Sequence, residues 1–181
     1  MHHDYDLLIV GGGLIGASLA CAAAGHGLHI ALIENRPFNI NNHPSYDDRC
    51  LALAHGSRRI FSALEIWSSL ITTPILTIHI GERGQLGAVR MRHSEEQVEA
   101  LGYVVEARVL GAALMEQLTQ HSDIDVFCPA TAESITLHTD AAYVDLQLPD
   151  RAKTLTTKLL VAADGGHSQV RSQLGIDVLQ R

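Results

Sequence analysis

Residues 5–34 read YDLLIVGGGLIGASLACAAAGHGLHIALIE, and the order of residue types in this stretch decides the fold. Tyr5–Val10 is a short, β-rich apolar run of the kind that forms a buried strand. Gly11–Gly13 make a turn. Leu14 to His26 is rich in alanine and leucine and predicts a helix, with Gly27 as its C-terminal cap. His29–Ile33 predicts a second strand, closed by Glu34. Two strands joined through a helix pair in parallel, so the chain opens as a βαβ unit of an α/β fold.

Within that unit Gly11-x-Gly13-x-x-Gly16 is a GxGxxG. Alone the motif is weak, because glycines cluster in many loops. Here a strand precedes it, a helix follows and an acid closes the next strand, which is the context that gives it meaning. Gly11 permits the tight turn, Gly13 lets backbone approach a pyrophosphate, and Gly16 lets helix and strand pack closely. The helix N-terminus then offers free N–H groups and a partial positive charge to phosphates. Glu34 stands at the distance along the chain where an acid accepts hydrogen bonds from both ribose hydroxyls of an adenosine. Such an acid repels a 2′-phosphate and so disfavours NADP in this crevice. A solvated loop acid is the plainer alternative.

Composition narrows the class. The chain has 181 residues, 46% of them hydrophobic and 18% charged, which is globular rather than disordered. A net charge of −7 with no basic stripe argues against nucleic acid. Cys21, Cys50 and Cys128 lie far apart with no CxxC pair, so neither a disulfide framework nor a zinc cluster is expected, and a reducing, cytoplasmic compartment fits. The eleven histidines are scattered without HExxH spacing, and no metal is expected. Residues 7–25 carry no charge, yet MHHDYD before them is acidic and three glycines interrupt them. Neither a signal peptide nor a spanning helix has that form.

Further along, residues 35–48 are a turn-rich loop, and Gly56-Ser57 predicts the cap of a helix through Ile60 and Leu64. Leu76, Ile78 and Ile80 alternate with polar residues as in a half-buried strand, followed by Ala88–Met91 and an extended Tyr103–Val105. Val109–Gln120 sets Leu110, Leu114 and Leu118 on one helical face. Strands are expected at 124–127, 134–139, 143–148 and 155–162. The last runs into a second glycine–acid junction, Asp164-Gly165, before a short helical pattern. Interrupted alternation with two such junctions suggests a ligand approached from distant chain segments, as an extended flavin dinucleotide requires.

Asp164-Gly165-Gly166-His167-Ser168-Gln169-Val170-Arg171 resembles the DGxxSxxR motif of the single-component flavoprotein aromatic hydroxylases. HPSYDDRCLALAHGSRRIF and EALGYVVEARVLGAALM resemble blocks of the UbiH-type ubiquinone-biosynthesis hydroxylases, the 2-octaprenyl-6-methoxyphenol hydroxylases among them. The resemblance covers essentially the whole chain. It implies a Rossmann-like FAD-binding domain over 1–72 and 105–181, with the first strands of a β-sheet substrate domain at 73–104. By the same resemblance Gly11, Gly13, Gly16 and Glu34 take the adenosine end of FAD, and Asp164 lies near the pyrophosphate. Arg49 lies near the pyrophosphate and flavin, and Arg108 faces the ribityl region. Arg49 and Arg108 also read as ordinary surface arginines, Asp164 as a helix cap, and Arg171 as its ion-pair partner. A GxSxG hydrolase elbow is excluded because Val170 stands where glycine is needed.

The implied chemistry is hydroxylation of a polyprenylated phenol with O2 and NAD(P)H. It implies contact with membrane or ubiquinone-pathway proteins and a place in the cytoplasm or peripherally at the inner membrane. The family's third motif, a GD sequence well after DG, is not present. An N-terminal part of a longer enzyme is therefore expected, inactive as a hydroxylase by itself and able to self-associate through an exposed sheet edge. The alternative from a different class is a stand-alone or remnant dinucleotide-binding module; a halogenase or prenyl-group reductase is weaker, since the YDDRCLALAHGS block resembles neither. No catalytic acid or base is named by these residues.

Overall fold

A computed structural model describes residues 3–38, 49–84 and 87–179. The first half runs β1 (Tyr5–Val10), α1 (Leu14–Ala23), β2 (Ile30–Ile33), β3 (Cys50–Ala54), α2 (His55–Ala63), a single 3-10 turn (Trp67–Ser69), β4 (Thr73–Ile75), β5 (Thr77–Gly81) and β6 (Ala88–Arg92). The second half runs β7 (Gly102–Glu106), α3 (Ala107–Gln120), β8 (Ile124–Phe127), β9 (Thr131–Leu137), β10 (Ala142–Gln147), β11 (Ala152–Ala162) and α4 (Gln169–Gln173).

The main sheet has the order β8-β2-β1-β11-β10-β9. Its β8-β2-β1-β11 half is parallel and its β11-β10-β9 half is an antiparallel meander. Strand β11 serves both halves: Ala152 to Thr157 pairs with β10, and Thr157 to Ala162 continues beside β1. The apolar runs of β1 and β2 follow from this, because central parallel strands are covered on both faces. Leu7 and Ile9 pack into one layer with Leu110, Leu114 and Leu118 of α3 and Ala17, Ala20 and Cys21 of α1. Leu8, Val10, Ala31 and Ile33 pack into the other with Val144, Leu146 and Leu155 of the meander. Small residues on the buried side of α1 let that helix lie close to the sheet. Burial there pushes the Cys21 thiol up to about 11, so it behaves as core rather than as a nucleophile.

Several sequence expectations move. Helix α1 ends at Ala23, not His26: Ala24 is already extended, and Gly25 turns left-handed (φ 75°) while its N–H is held by Asp123 at 2.7 Å. Helix α2 starts at His55, without a side-chain cap from Gly56-Ser57. Strands β3 and β4 were not expected; both pair antiparallel with β7, in the order β3-β7-β4. Most of the predicted 35–48 loop lies outside the described residues. The expected 73–104 segment is divided, because β4 joins that three-stranded sheet while β5 and β6 form a hairpin apart from both sheets. The alternation at 76–80 does make a strand, but among the described residues its apolar face is only partly covered: Ile78 and Met91 are half-buried, while Ile80 is 56% and Val89 59% exposed.

Three carboxylates staple these junctions. Asp6 of β1 bonds Lys158 of β11 at 2.6 Å and the His29 N–H before β2 at 2.9 Å. Asp123 holds Gly25, and Asp145 of β10 accepts from Ser134 and Thr154 on its two neighbouring strands. Each carboxyl is held below its usual value, chiefly by the Lys158 hydrogen bond for Asp6, the Gly25 N–H for Asp123 and the Ser134 hydroxyl for Asp145. A lowered folded value means the stabilisation is complete above the ordinary carboxylate value of about 4 and is lost as pH falls through the folded values. Thermal melts by circular dichroism should therefore show a flat midpoint above about pH 5 and a decline below about pH 4. Asp6→Asn should make that decline shallower; an unchanged acid slope would remove Asp6 from the account.

Candidate functional site

The two glycine junctions meet in space. Gly11 leaves β1 with φ 106° and donates its N–H to Ile33 at 2.8 Å. A Cβ on Gly11 would overlap the Ala163 carbonyl oxygen and lie 2.6 Å from its carbon and 2.8 Å from the Asp164 nitrogen. Gly11 is thus a glycine because the backbone of the β11–α4 junction crosses against it. A Cβ on Gly16 would overlap the Gly11 carbonyl oxygen and press on the Ala163 side chain at 3.3 Å, so helix α1 can start this close only without one. Gly13 occupies the N-cap of α1 in an extended conformation, and no side chain caps that helix end. Its first-turn N–H groups are therefore left to a ligand or to water.

These junctions open on a cleft of about 480 Å³ at the C-terminal ends of β1, β2 and β11. Open α/β sheets take their ligands at that end. Glu34 is 6% exposed and lies in the cleft wall. Its Oε2 accepts the Gly12 N–H at 2.7 Å and its Oε1 the Arg36 N–H at 2.8 Å. It is therefore a carboxylate oriented by backbone rather than a solvated loop acid. A carboxylate can accept more than two hydrogen bonds, which leaves the ribose reading chemically open.

Asp164 forms the opposite wall. Its Oδ2 accepts the N–H groups of Gln169 and Val170 at 2.7 and 3.2 Å, which does cap the entry to α4. Its Oδ1 is buried without a hydrogen-bond partner. One oxygen is structural, and the other is an acceptor that a hydroxyl or N–H of a ligand would satisfy. Arg171 donates to the Gly166 carbonyl at 3.2 Å; the Asp164 oxygen nearest α4 is already taken by the helix amides.

Arg49 and Arg108 stand at one junction, since the Ala107 N–H donates to the Arg49 carbonyl at 2.9 Å where β3 meets β7. Arg108 is about half exposed and pairs with Glu106 at 2.7 Å. Neither arginine lines the cleft. Among the polar lining residues, the sequence did not single out Asn35, Arg36, Thr131, His167 and Gln169. Arg36 follows the strand-closing acid and His167 and Gln169 fill open positions of DGxxSxxR, so their placement in those motifs was a usable signal. Thr131 carries none, because it arrives through the β8–β9 connection, where Glu34 bonds Phe127 and Ala130 through its backbone.

A dinucleotide fits what is present: an uncapped helix N-terminus for phosphate, an oriented carboxylate for a ribose and an unpartnered acceptor across the cleft. Among the described residues no group of three or more His, Cys, Asp or Glu could hold a metal. None of the described helices is long and apolar enough to cross a membrane.

Comparison with known proteins gives a consistent picture. The family model described as FAD binding domain matches residues 4–181. The chain is 34% identical over 175 residues to the ubiquinone hydroxylase UbiL of Rhodospirillum rubrum, covering 96% of this chain and 40% of that protein. It is 32% identical over 178 residues to the ubiquinone hydroxylase UbiM of Neisseria meningitidis, covering 94% of this chain and 38% of that protein. The chain thus spans about two fifths of these relatives' length. Among solved structures, p-nitrophenol 4-monooxygenase PnpA of Pseudomonas putida shares the fold at a TM-score of 0.79 and 16% identity, over 97% of this chain and 44% of that one.

Proposed function

The chain belongs to the FAD binding domain family, and from that premise we propose that it is the cofactor-holding part of a flavin-dependent monooxygenase that hydroxylates a polyprenylated phenol in ubiquinone biosynthesis. The observation that carries the cofactor reading is the convergence on one cleft of the uncapped α1 N-terminus, the oriented Glu34 carboxylate and the unpartnered Asp164 Oδ1. The substrate class is supported by the names of the relatives, ubiquinone hydroxylases both.

When bound, FAD supplies the redox and oxygen chemistry by which a phenol ring gains a hydroxyl, with NAD(P)H as the electron source. The chain's own residues bind and orient. Gly11, Gly13 and Gly16 bring the backbone and first-turn N–H groups of α1 against the diphosphate. Glu34 accepts from the adenosine ribose and repels a 2′-phosphate. Asp164 Oδ1 accepts from a hydroxyl of the flavin side. Arg49 and Arg108, at the β3–β7 junction, serve the flavin end from outside the cleft. Residues 1–72 and 105–181 form the cofactor domain and 73–104 open the substrate layer, of which the β5–β6 hairpin is the detached piece. The phenol reaches such an enzyme at the membrane face of the inner membrane, through peripheral contacts. Turnover belongs to a polypeptide of the relatives' full length, with cofactor binding assigned to this chain.

The test is titration of the purified chain with FAD, followed by flavin fluorescence and visible absorbance. One-to-one binding is expected, with NADP+ at least about tenfold weaker as a competitor than ADP-ribose lacking the 2′-phosphate. A folded chain that binds no FAD, or that prefers the 2′-phosphate, would overturn the reading.

A further inference from the structure

After helix α2 the chain leaves the cofactor domain, and at β7 it returns. It goes out through the 3-10 turn at Trp67–Ser69 and β4, forms the β5–β6 hairpin, and comes back through residues 93–101. The ends of that returning segment are tied to the outgoing one. The His93 N–H donates to the Leu76 carbonyl at 3.0 Å and the Leu101 N–H to the Ile75 carbonyl at 2.9 Å. Between those ties its backbone bonds are local: the Val98 N–H donates to the His93 carbonyl, and the Glu95 and Glu96 N–H groups to that of Arg92. Bonds of that kind fold the segment on itself and do not join it to α2.

Arg58 makes that join. It stands three residues before the buried Phe61, on the face of α2 that turns inward. Its Nη1 donates to Glu99 Oε2 and to the Tyr103 hydroxyl, both at 2.6 Å. Its guanidinium carbon lies 5.1 Å from the centre of the Tyr103 ring and 5.8 Å from that of Trp67, within reach of cation–π attraction. The two rings meet edge to face, with centroids 4.9 Å apart. One cation thus gathers the outgoing Trp67 and the returning Glu99 and Tyr103, and this chain supplies every partner. The residue type fits the task, because a flat guanidinium with fixed donors stacks and donates at once, as an ammonium does not. The partners are unequal. Tyr103 is buried, whereas the Glu99 side chain is 71% exposed, so the Glu99 bond is screened by salt and adds little.

We propose that Arg58 is a positioning residue: it fixes the crossing between the cofactor domain and the substrate layer by holding Trp67, Glu99 and Tyr103 together. This rests on the division of the chain proposed above. On that division one unit holds the cofactor and the other opens the layer for the phenol, and a reaction between two held partners is sensitive to misplacement of about 1 Å. Arg58 lies outside the cleft and acts through the segments to which Trp67 and Tyr103 belong.

The test is hydrogen–deuterium exchange on the purified chain without FAD, read by mass spectrometry. The emission of Trp67, the single tryptophan, is a second readout. Arg58→Ala should speed exchange across residues 93–106 at least about tenfold while β1, α1 and β2 keep their protection, and Trp67 emission should move to longer wavelength. Arg58→Lys keeps a charge but not the flat fork, and should restore part of the protection. Glu99→Gln should act far less than Arg58→Ala. Tyr103→Phe removes the hydroxyl alone and keeps the ring; it should speed exchange over the same segment even where Arg58→Ala does not fold. Unchanged protection of 93–106 in both Arg58→Ala and Tyr103→Phe would overturn the proposal. So would a uniform rise that includes β1 and α1, which would make Arg58 a general stabiliser, and so would full recovery in Arg58→Lys. Because no flavin is present, a chain that binds no FAD, the result that overturns the cofactor reading, leaves this comparison intact.

Discussion

Gly16→Ala is expected to destabilise the chain by about 3 kcal/mol or more, at the upper end of what overpacking costs. The new methyl group would overlap the Gly11 carbonyl oxygen and crowd the Ala163 side chain at 3.3 Å. Neither neighbour can yield cheaply. Gly11 is held by its N–H bond to Ile33 and by the crossing of Ala163, and Ala163 is pinned to Val10 through a 2.7 Å backbone bond. Helix α1 must therefore move off the sheet, away from the position that aims its N-terminus at the cleft. In a chain of this size 3 kcal/mol is roughly 6–12 °C of melting midpoint, read by circular dichroism. FAD binding should fall with it. Gly56→Ala is the matched comparison: a Cβ there meets nothing within 4 Å, and the position lies in helix α2. That substitution should be neutral or stabilising by up to about 1 kcal/mol, from helix propensity alone. Equal effects at the two sites would remove the close-crossing argument.

Glu34→Ala is expected to weaken FAD binding by a factor between about 10 and 100, measured by isothermal titration on the folded chain. Two losses add. The carboxylate would no longer accept from a ribose, and a hydrogen bond to a charged group contributes about 1.5–3 kcal/mol. The N–H groups of Gly12 and Arg36 would also lose their 2.7 and 2.8 Å acceptor, loosening the loop that positions the glycine turn. Glu34→Gln separates the two. It keeps one carbonyl acceptor but removes the charge, so affinity for FAD should fall less than in Glu34→Ala while discrimination against a 2′-phosphate collapses. An affinity unchanged in Glu34→Ala, with the melt intact, would strip Glu34 of any part in the site.

These two residues mark how much of the site could be read before folding. The GxGxxG, the acid at the end of the next strand and the DG junction were all legible, and the cleft is walled by them. Each is a local requirement: a turn that excludes a side chain, a strand end that exposes a carboxylate, a helix start that leaves donors open. The reasons behind them were not all local. Gly11 is a glycine because Ala163 passes against it, a contact between opposite ends of the chain. Asp164 gives one oxygen to α4 and keeps the other buried and unpartnered in the cleft wall, which neither the cap reading nor the ligand reading alone described.

Sequence alone determined the βαβ opening, both glycine junctions, the apolar face of α3 and the strands of the meander, because periodicity and glycine sterics act over a few residues. Tertiary structure decided the rest. It paired β3 and β4 with β7, brought Thr131 beside Glu34, kept Arg49 and Arg108 off the cleft and left Ile80 and Val89 of the hairpin exposed. Strand partners and burial depend on which distant segment arrives alongside, and a short run of alternating residues reads the same whether its apolar face meets a core or water.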